Sequence, residues 1–386
     1  MPAESFIARK LRFKEKLSAG AIAISFFIMI VAVAISAGFR QEIRAGVSAV
    51  SGDVMLTATG FSGYGEDSHI SCEQSYLPMI EEQPGVTGIR PAVYRAGIVR
   101  NGQNIAGVMF KGVESSDSTL HVRVPESLAR KLNLHQGDRM LTYFIGEKVK
   151  MRNFTVSGIY DSLLDTEDAL IVYAPISDMQ RLNDWDSTAV SSLEVMLDSR
   201  HSSREDVREA TAAIGSLCAL SATEDDDIPY AQASTERFSQ LFDWLDLIDF
   251  NVAAILILMT IVAGFNMISG LLIMLLRNTS TIGTLKALGM SSRGVAGVFL
   301  RVSARIVLRG MIIGNAAALL FCLLQGTTHL IKLNPANYFL SFVPVSVNVP
   351  AVILADILAF AAIMLLLLLP SLFISRIDPA RTMRSE

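Results

Sequence analysis

No segment of this sequence reads G-x-x-x-x-G-K-[S/T]. The chain therefore lacks the glycine-rich loop whose backbone N–H groups cradle nucleotide phosphates. Neither H-E-x-x-H nor G-x-S-x-G occurs, so two common hydrolase motifs are missing as well. The five histidines (His69, His121, His135, His201 and His329) are scattered without metal-ligand spacing. No catalytic site and no metal site is expected. The chain reads as a non-enzyme that holds no cofactor of its own. Cysteine is scarce: Cys72, Cys218 and Cys322 are the only three in 386 residues. That excludes a disulfide scaffold, and Cys72 and Cys218 are expected to stay as free thiols. The run Glu224 to Asp227 lacks the spaced oxygen ligands of a calcium loop and reads as a solvated turn.

Charge is thin. Asp, Glu, Lys and Arg make up 18% of the chain, against about 25% in soluble domains. Hydrophobic residues make up 51% and the mean hydropathy is +0.43. Four runs are nearly devoid of ionisable groups: 17–39, 250–276, 310–328 and 351–374. Each approaches or exceeds the roughly 20 apolar residues that cross a bilayer. The first run follows a basic stretch and invites comparison with a signal peptide. Signal cores span about 7–15 residues, whereas this run is 23 residues long. A retained helix is expected.

Acidic residues are absent from Arg277 to Arg309, which carries six basic ones. Residues 1–16 carry five basic and two acidic side chains, and residues 40–249 carry 18 basic and 32 acidic. This asymmetry orients a membrane protein rather than marking a nucleic-acid binder. By the positive-inside rule, residues 1–16 form a cytoplasmic amphipathic segment. Residues 40–249 form an exported domain, 277–309 a cytoplasmic loop, 329–350 a short outer loop and 375–386 a cytoplasmic tail. The expected fold is an α-helical membrane protein with four transmembrane helices and a large mixed α/β periplasmic domain inserted between helices 1 and 2.

Within residues 40–249, the segments 96–100 and 103–113 flank Asn101-Gly102 and read as a hairpin with a type I′ turn. Strands are expected over 152–160, 169–174 and 193–197, from their β-branched and aromatic content. Helices are expected over 125–134, with Pro at its start, and from Ser202 or Ser203 to about Leu217. Residues 226–249 look amphipathic and are expected to form a helical stalk leading into the second span.

Polar groups inside the spans are few. Asn266 and Asn315 are expected to bond across helices. Gly310-x-x-x-Gly314-x-x-x-Ala318 forms a small-residue seam for helix packing. Asp356 has no ionisable partner in another span and is expected to reach the outer headgroup level. In the basic loop, Ile282, Gly283, Leu285, Lys286, Ala287, Leu288 and Gly289 form a short helix. Its residues Ile282, Leu285 and Leu288 share a face by three- and four-residue spacing.

Several of these segments resemble lipoprotein-releasing ABC transporter permeases of the LolC/LolE type, within the MacB/FtsX group. They are Phe6-Ile7-Ala8-Arg9, Ala263 to Ser269, Phe154 to Tyr160, Pro175 to Leu182, Ile282 to Ser291 and Asp378 to Arg384. The resemblance implies a location in the bacterial inner membrane, with both termini cytoplasmic. It implies a second permease protomer, identical or paralogous, above a dimer of a separate cytosolic ABC ATPase that binds the ATP and Mg. It further implies that Phe6, Ile7, Ala8 and Arg9 form an N-terminal elbow and that Ile282 to Gly289 couple to the ATPase. Lipoprotein substrates, a periplasmic carrier and membrane lipids complete the implied partners, with no nucleic acid. An FtsX-like regulator of a cell-wall hydrolase and a MacB-like exporter or mechanotransducer are the alternatives.

Overall fold

The computed structural model describes residues 16–60, 68–115, 117–146, 148–161, 170–198, 203–224, 226–334, 338 and 340–371. The described residues form two compact units. One comprises residues 42–244 with 333–341, and the other the remaining described segments.

The larger unit begins with the last turns of α1 (Lys16–Ser51). The helix stops because Gly52 takes a φ of +69°, and its N–H donates to the Ser48 carbonyl at 2.8 Å. A side chain there would meet Glu194 Cβ at 2.9 Å, so glycine serves both the turn and the close approach. The chain then builds β1 (Val54–Thr57), β2 (Ile70–Ser71), α2 (Leu77–Glu81), β3 (Val86–Asn101), β4 (Asn104–Val113), β5 (His121–Pro125) and α3 (Glu126–Leu132). Next come β6 (Arg139–Phe144), β7 (Lys150–Tyr160), β8 (Ile171–Pro175), α4 (Ile176–Leu182), β9 (Ala189–Val190) and β10 (Ser192–Leu197). The unit ends with α5 (Arg204–Ser221), β11 (Tyr230–Ala233) and α6 (Ser234–Arg237).

Nine strands pair in the order β11-β1-β10-β3-β4-β8-β5-β7-β6, and β6 pairs back onto β3 at Ile98 to Arg100. Strands β3, β4, β8, β5, β7 and β6 therefore close a six-membered ring, which leaves no open edge among them. Phe110, Phe144 and Phe154 fill its interior, with ring centroids 5.0, 5.1 and 6.2 Å apart. The other half of β3 carries β10, β1 and β11 as an extension.

Three local expectations need correction. The β3–β4 loop consists of Gly102 and Gln103, and only Gly102 has positive φ. The turn therefore has Gly at its first central position, and Asn101 pairs in the ladder. Residues 230–233 form an edge strand on β1 rather than the start of a stalk helix, which begins at Ser239. The acidic run is not simply solvated. Asp226 accepts from Thr223 N–H and from Ser75, and Asp227 from Ser71 N–H and Gln74. Hydrogen bonds from Ser75 and Thr223 hold the Asp226 carboxyl well below the usual range. The α5 cap is Ser203, in a capping box with Asp206, while Ser202 lies outside the described residues. Cys218 is buried in the core, which pushes its thiol up to about 11, and Cys72 is half-buried. Both are free.

The second unit is helical. It holds the first part of α1, most of α7 (Ser239–Arg277), α8 (Thr279–Ala287), α9 (Ser292–Thr328), α10 (Val349–Leu366) and α11 (Leu368–Ser371). Four of its helical stretches are long and apolar enough to cross a membrane: Ser18–Ser51, Ser239–Arg277, Ser292–Thr328 and Val349–Pro370. Ile22, Phe26 and Met29 of α1 share a core with Met267 and Leu271 of α7, Phe299 and Ile306 of α9, and Ile363 of α10. The glycine seam of α9 lies on α1. A Cβ at Gly310 would sit 2.6 Å from Ile22 Cγ2, and one at Gly314 only 2.5 Å from the Ala23 carbonyl oxygen. Asp249 of α7 pairs with Arg40 and accepts from the Ser36 hydroxyl, both on α1. Asn315 Nδ2 donates to Asp356 Oδ2 at 2.5 Å across α9 and α10. Asp356 thus has a polar partner on a neighbouring helix.

Gly314→Val should separate α1 from α9, because its neighbours at 2.5 to 3.1 Å include backbone atoms. A loss of about 1–3 kcal/mol is expected, the usual cost of overpacking. It should appear as a lower thermal midpoint of the detergent-solubilised chain. Gly20→Ala, where a Cβ meets nothing within 4 Å, should leave the midpoint unchanged or raise it.

Candidate functional site

The basic, acid-free segment folds as two helices joined by a tight turn. After α7 ends at Arg277, α8 runs from Thr279 to Ala287. Leu288 is its C-cap, and Gly289 follows with a φ of +91°. The Gly289 and Met290 N–H groups donate to the carbonyls of Lys286 and Leu285, both at 3.0 Å. These bonds satisfy the last carbonyls of α8, as a left-handed glycine termination does. The Ser291 hydroxyl then accepts from Gly294 N–H at 3.2 Å and caps α9. The Gly289-Met290-Ser291 tripeptide is therefore a stop signal followed directly by a start signal.

Burial sorts the residues of α8 into two faces. Ile282 is 0% exposed and joins the interhelical core, and Gly283 is buried beside it. Leu285 is half-buried against the same core, and Lys286 is half-buried. Thr281, Thr284, Ala287, Leu288 and Gly289 are exposed, and Leu288 is 79% so. The face that Ile282, Leu285 and Leu288 share by spacing is therefore split, with Ile282 packed inward and Leu288 exposed. Ile282 anchors α8 to its own bundle, and the outward face centres on Leu288, Ala287 and Thr284. A large exposed leucine amid threonines is the feature of α8 best able to enter an apolar groove on another chain.

The other selected residues lie elsewhere in the helical unit. Gly310 and Gly314 face α1, and Asn315 bonds Asp356. Asn266 is the exception, because it is exposed on α7 and has no partner among the described residues. Among the described residues it does not bond across helices. The proposed elbow Phe6, Ile7, Ala8 and Arg9, and the tail motif Asp378 to Arg384, lie outside the described residues. The residues that tie α1 into the sheet, Lys111, Glu194, Tyr94 and Asp53, carry no sequence motif. A Lys or Glu at a strand position gives no sign of its burial when its partner is some 80 residues away.

Four helices apolar enough to span a membrane, an α/β domain inserted after the first of them and a short helix with one exposed face after the second define the architecture of a multi-pass membrane protein. Known proteins agree. Residues 17–215 match the MacB-like periplasmic core domain, and residues 253–379 match the FtsX-like permease C-terminal model. The chain belongs to the MacB/FtsX family of ABC transporter permeases. Members of this kind are non-catalytic components of their transporters. The lipoprotein-releasing system transmembrane protein LolC of Xylella fastidiosa is 22% identical over 395 residues, covering 95% of this chain and 92% of its own. The corresponding LolE protein of Haemophilus influenzae is 22% identical over 414 residues, covering 96% and 94%. The crystal structure of the periplasmic region of MacB from Actinobacillus actinomycetemcomitans is similar over 51% of this chain and 95% of its own, at 18% identity and a TM-score of 0.31.

Single cysteines should report the two faces of α8 directly. With Cys72, Cys218 and Cys322 replaced by alanine, a cysteine at 288 should react with a water-soluble maleimide at the rate of an exposed thiol. One at 282 should react at least about tenfold more slowly, since only an accessible thiolate is nucleophilic. Equal rates would contradict the described packing.

Proposed function

We propose that this chain is the permease subunit of a transporter that extracts lipoproteins from the outer leaflet of a bacterial inner membrane and passes them to a periplasmic carrier. The observation that carries the reading is likeness to LolC and LolE along nearly the whole of both chains, 92–95% of theirs and 95–97% of this one. Charge supports the orientation. The six basic and no acidic residues of 277–309 favour the cytoplasmic side, and the acidic balance of 40–249 favours the periplasmic side.

The chemistry of the cargo explains why power is needed. Moving an acyl chain from lipid to water costs about 0.8 kcal/mol per CH₂. A sixteen-carbon chain then costs on the order of 10 kcal/mol, and a triacylated lipoprotein about three times that. A separate cytosolic ATPase, two copies beneath two permease protomers, supplies the work. It binds the ATP and Mg and grips α8 through Leu288 and its neighbours. The permease converts that grip into movement of α1 and α7, and so of the domain they carry. The second protomer covers the outward face of α7, where Asn266 and Phe265 are exposed. A mid-span amide facing only lipid would keep unmet hydrogen-bonding groups in hydrocarbon, whereas a partner helix can satisfy them.

Reconstitution tests the reading. The full chain, its ATPase and a partner protomer in vesicles should transfer a triacylated lipoprotein to a soluble carrier on adding ATP. The same protein without its acyl chains should not depend on the complex. ATP-dependent activation of a cell-wall hydrolase, or ejection of soluble peptides without acyl dependence, would replace this reading with a regulator or an exporter. Leu288→Asp should leave the thermal midpoint within a few degrees, as exposed substitutions do. It should weaken ATPase co-purification at least tenfold, as the loss of an interface anchor does. Unchanged binding would remove Leu288 from the interface.

A further inference from the structure

The end of α1 is held by two buried polar nodes that no motif announces. At the first, Lys111 of β4 donates to three acceptors. They are the Val50 carbonyl at 2.7 Å, the Ala49 carbonyl at 3.4 Å and Glu194 Oε2 at 2.8 Å. Tyr94 of β3 donates from its hydroxyl, which lies 2.8 Å from the Val50 carbonyl and 2.5 Å from Glu194 Oε1. Lys111 and Glu194 side chains are each 3% exposed. Tyr94 and Lys111 are cross-strand partners, so both project from the same face of the sheet toward the helix end. At the second node, Asp53 is 2% exposed. It accepts from Ser48 at 3.0 Å and from Leu197 N–H at 2.8 Å, and it pairs with Arg44 at 3.4 Å.

The chemistry is that of a helix C-terminus. The last carbonyls of a helix have no donor within it and carry partial negative charge, which an ammonium group stabilises. An ammonium group has three N–H bonds, and Lys111 has three acceptors. Glu194 balances its charge and fixes the Tyr94 hydroxyl. Burial pushes the Glu194 carboxyl up and the Lys111 ammonium down, against their mutual attraction. The carbonyl and carboxylate contacts of Lys111 favour its charged form, in opposition to that burial. A buried ion pair adds little net stability compared with apolar residues of the same size. Fold stability alone therefore does not account for its presence here. What the pair adds is direction: two backbone carbonyls and two strands are held in one geometry.

We propose that Lys111, Glu194 and Tyr94 are positioning residues that lock the last turn of α1 to strands β3, β4 and β10. Through them, movement of the first span is passed to the sheet without loss. This rests on the mechanical reading under Proposed function, and none of the three is placed in contact with cargo or ATPase.

The test uses the full chain in its complex, with spin labels on cysteines at Ala45 and Ile105, both exposed, and the native cysteines replaced. Lys111→Met alone strands a buried carboxylate and endangers folding. The informative variant is therefore Lys111→Met with Glu194→Met, which removes both charges together. It should keep its thermal midpoint within about 5 °C of the parent. Tyr94→Phe is the milder companion. In the double variant the label-to-label distance distribution should broaden. ATP hydrolysis should stay within about threefold of the parent while acylated cargo transfer falls about tenfold or more, within the usual range of coupling between sites. A distribution as narrow as the parent's would overturn the lock. A broadened distribution with undiminished transfer would overturn its role in transmission. If the parent itself moves no cargo, the functional reading fails, yet the label distances still decide whether the lock exists.

Discussion

A helix that emerges from hydrocarbon still ends on carbonyl groups that its own ladder cannot satisfy. In this chain α1 meets that constraint inside a folded domain rather than in water. Gly52 turns the backbone left-handed, its N–H takes the Ser48 carbonyl, and the sheet sends donors to Ala49 and Val50. The strands that supply those donors must be in register, because Tyr94 and Lys111 reach the helix end only as cross-strand partners. Register in turn is set by ring closure through β6 and β3, which leaves no edge along which strands could slip. The helix terminus, the ladder and the ring are thus mutually dependent.

The two units solve packing differently. The sheet unit is filled by large side chains, with three phenylalanines at the centre of the ring. The helical unit relies on small residues where α9 meets α1, since lipid offers no hydrophobic gain for bringing helices together. Close contact and a few polar bonds replace it. Asn315 with Asp356, and Asp249 with Arg40 and Ser36, are such bonds, each joining two helices. α8 belongs to the same economy: Ile282 anchors it inward, so Leu288 is held outward.

Sequence was a good guide where one local force dominates. Long apolar runs can only be spanning helices or buried ones; the observed helices contain the first three runs, and the described part of the fourth falls in α10 and α11. Ser202 or Ser203 marks the start of a helix from sequence, and the structure caps α5 with Ser203. Asn101-Gly102 marks a hairpin but not its turn geometry, because moving the pair by one position in the ladder changes which residues are central. What sequence did not show is non-local. Strand 230–233 is short, and it exists because β1 offers it an edge. Asp226 and Asp227 look solvated until Ser71, Gln74 and Ser75 are brought to them from about 150 residues away. Periodicity groups Ile282 with Leu288 but does not say which end of that stripe faces the bundle. Asn266 is exposed on α7 with no partner among the described residues, which its sequence neighbours do not announce.

Length distinguishes the fourth membrane-crossing segment from the others. At 1.5 Å per residue, the 39 residues of α7 extend about 58 Å and the 37 of α9 about 55 Å, well beyond some 30 Å of hydrocarbon. The 22 residues from Val349 to Pro370 extend only about 33 Å. The described part of this segment just matches the hydrocarbon, whereas the longer helices exceed it. Bilayers of different thickness should be felt first through this segment and the bond it accepts at Asp356 from Asn315.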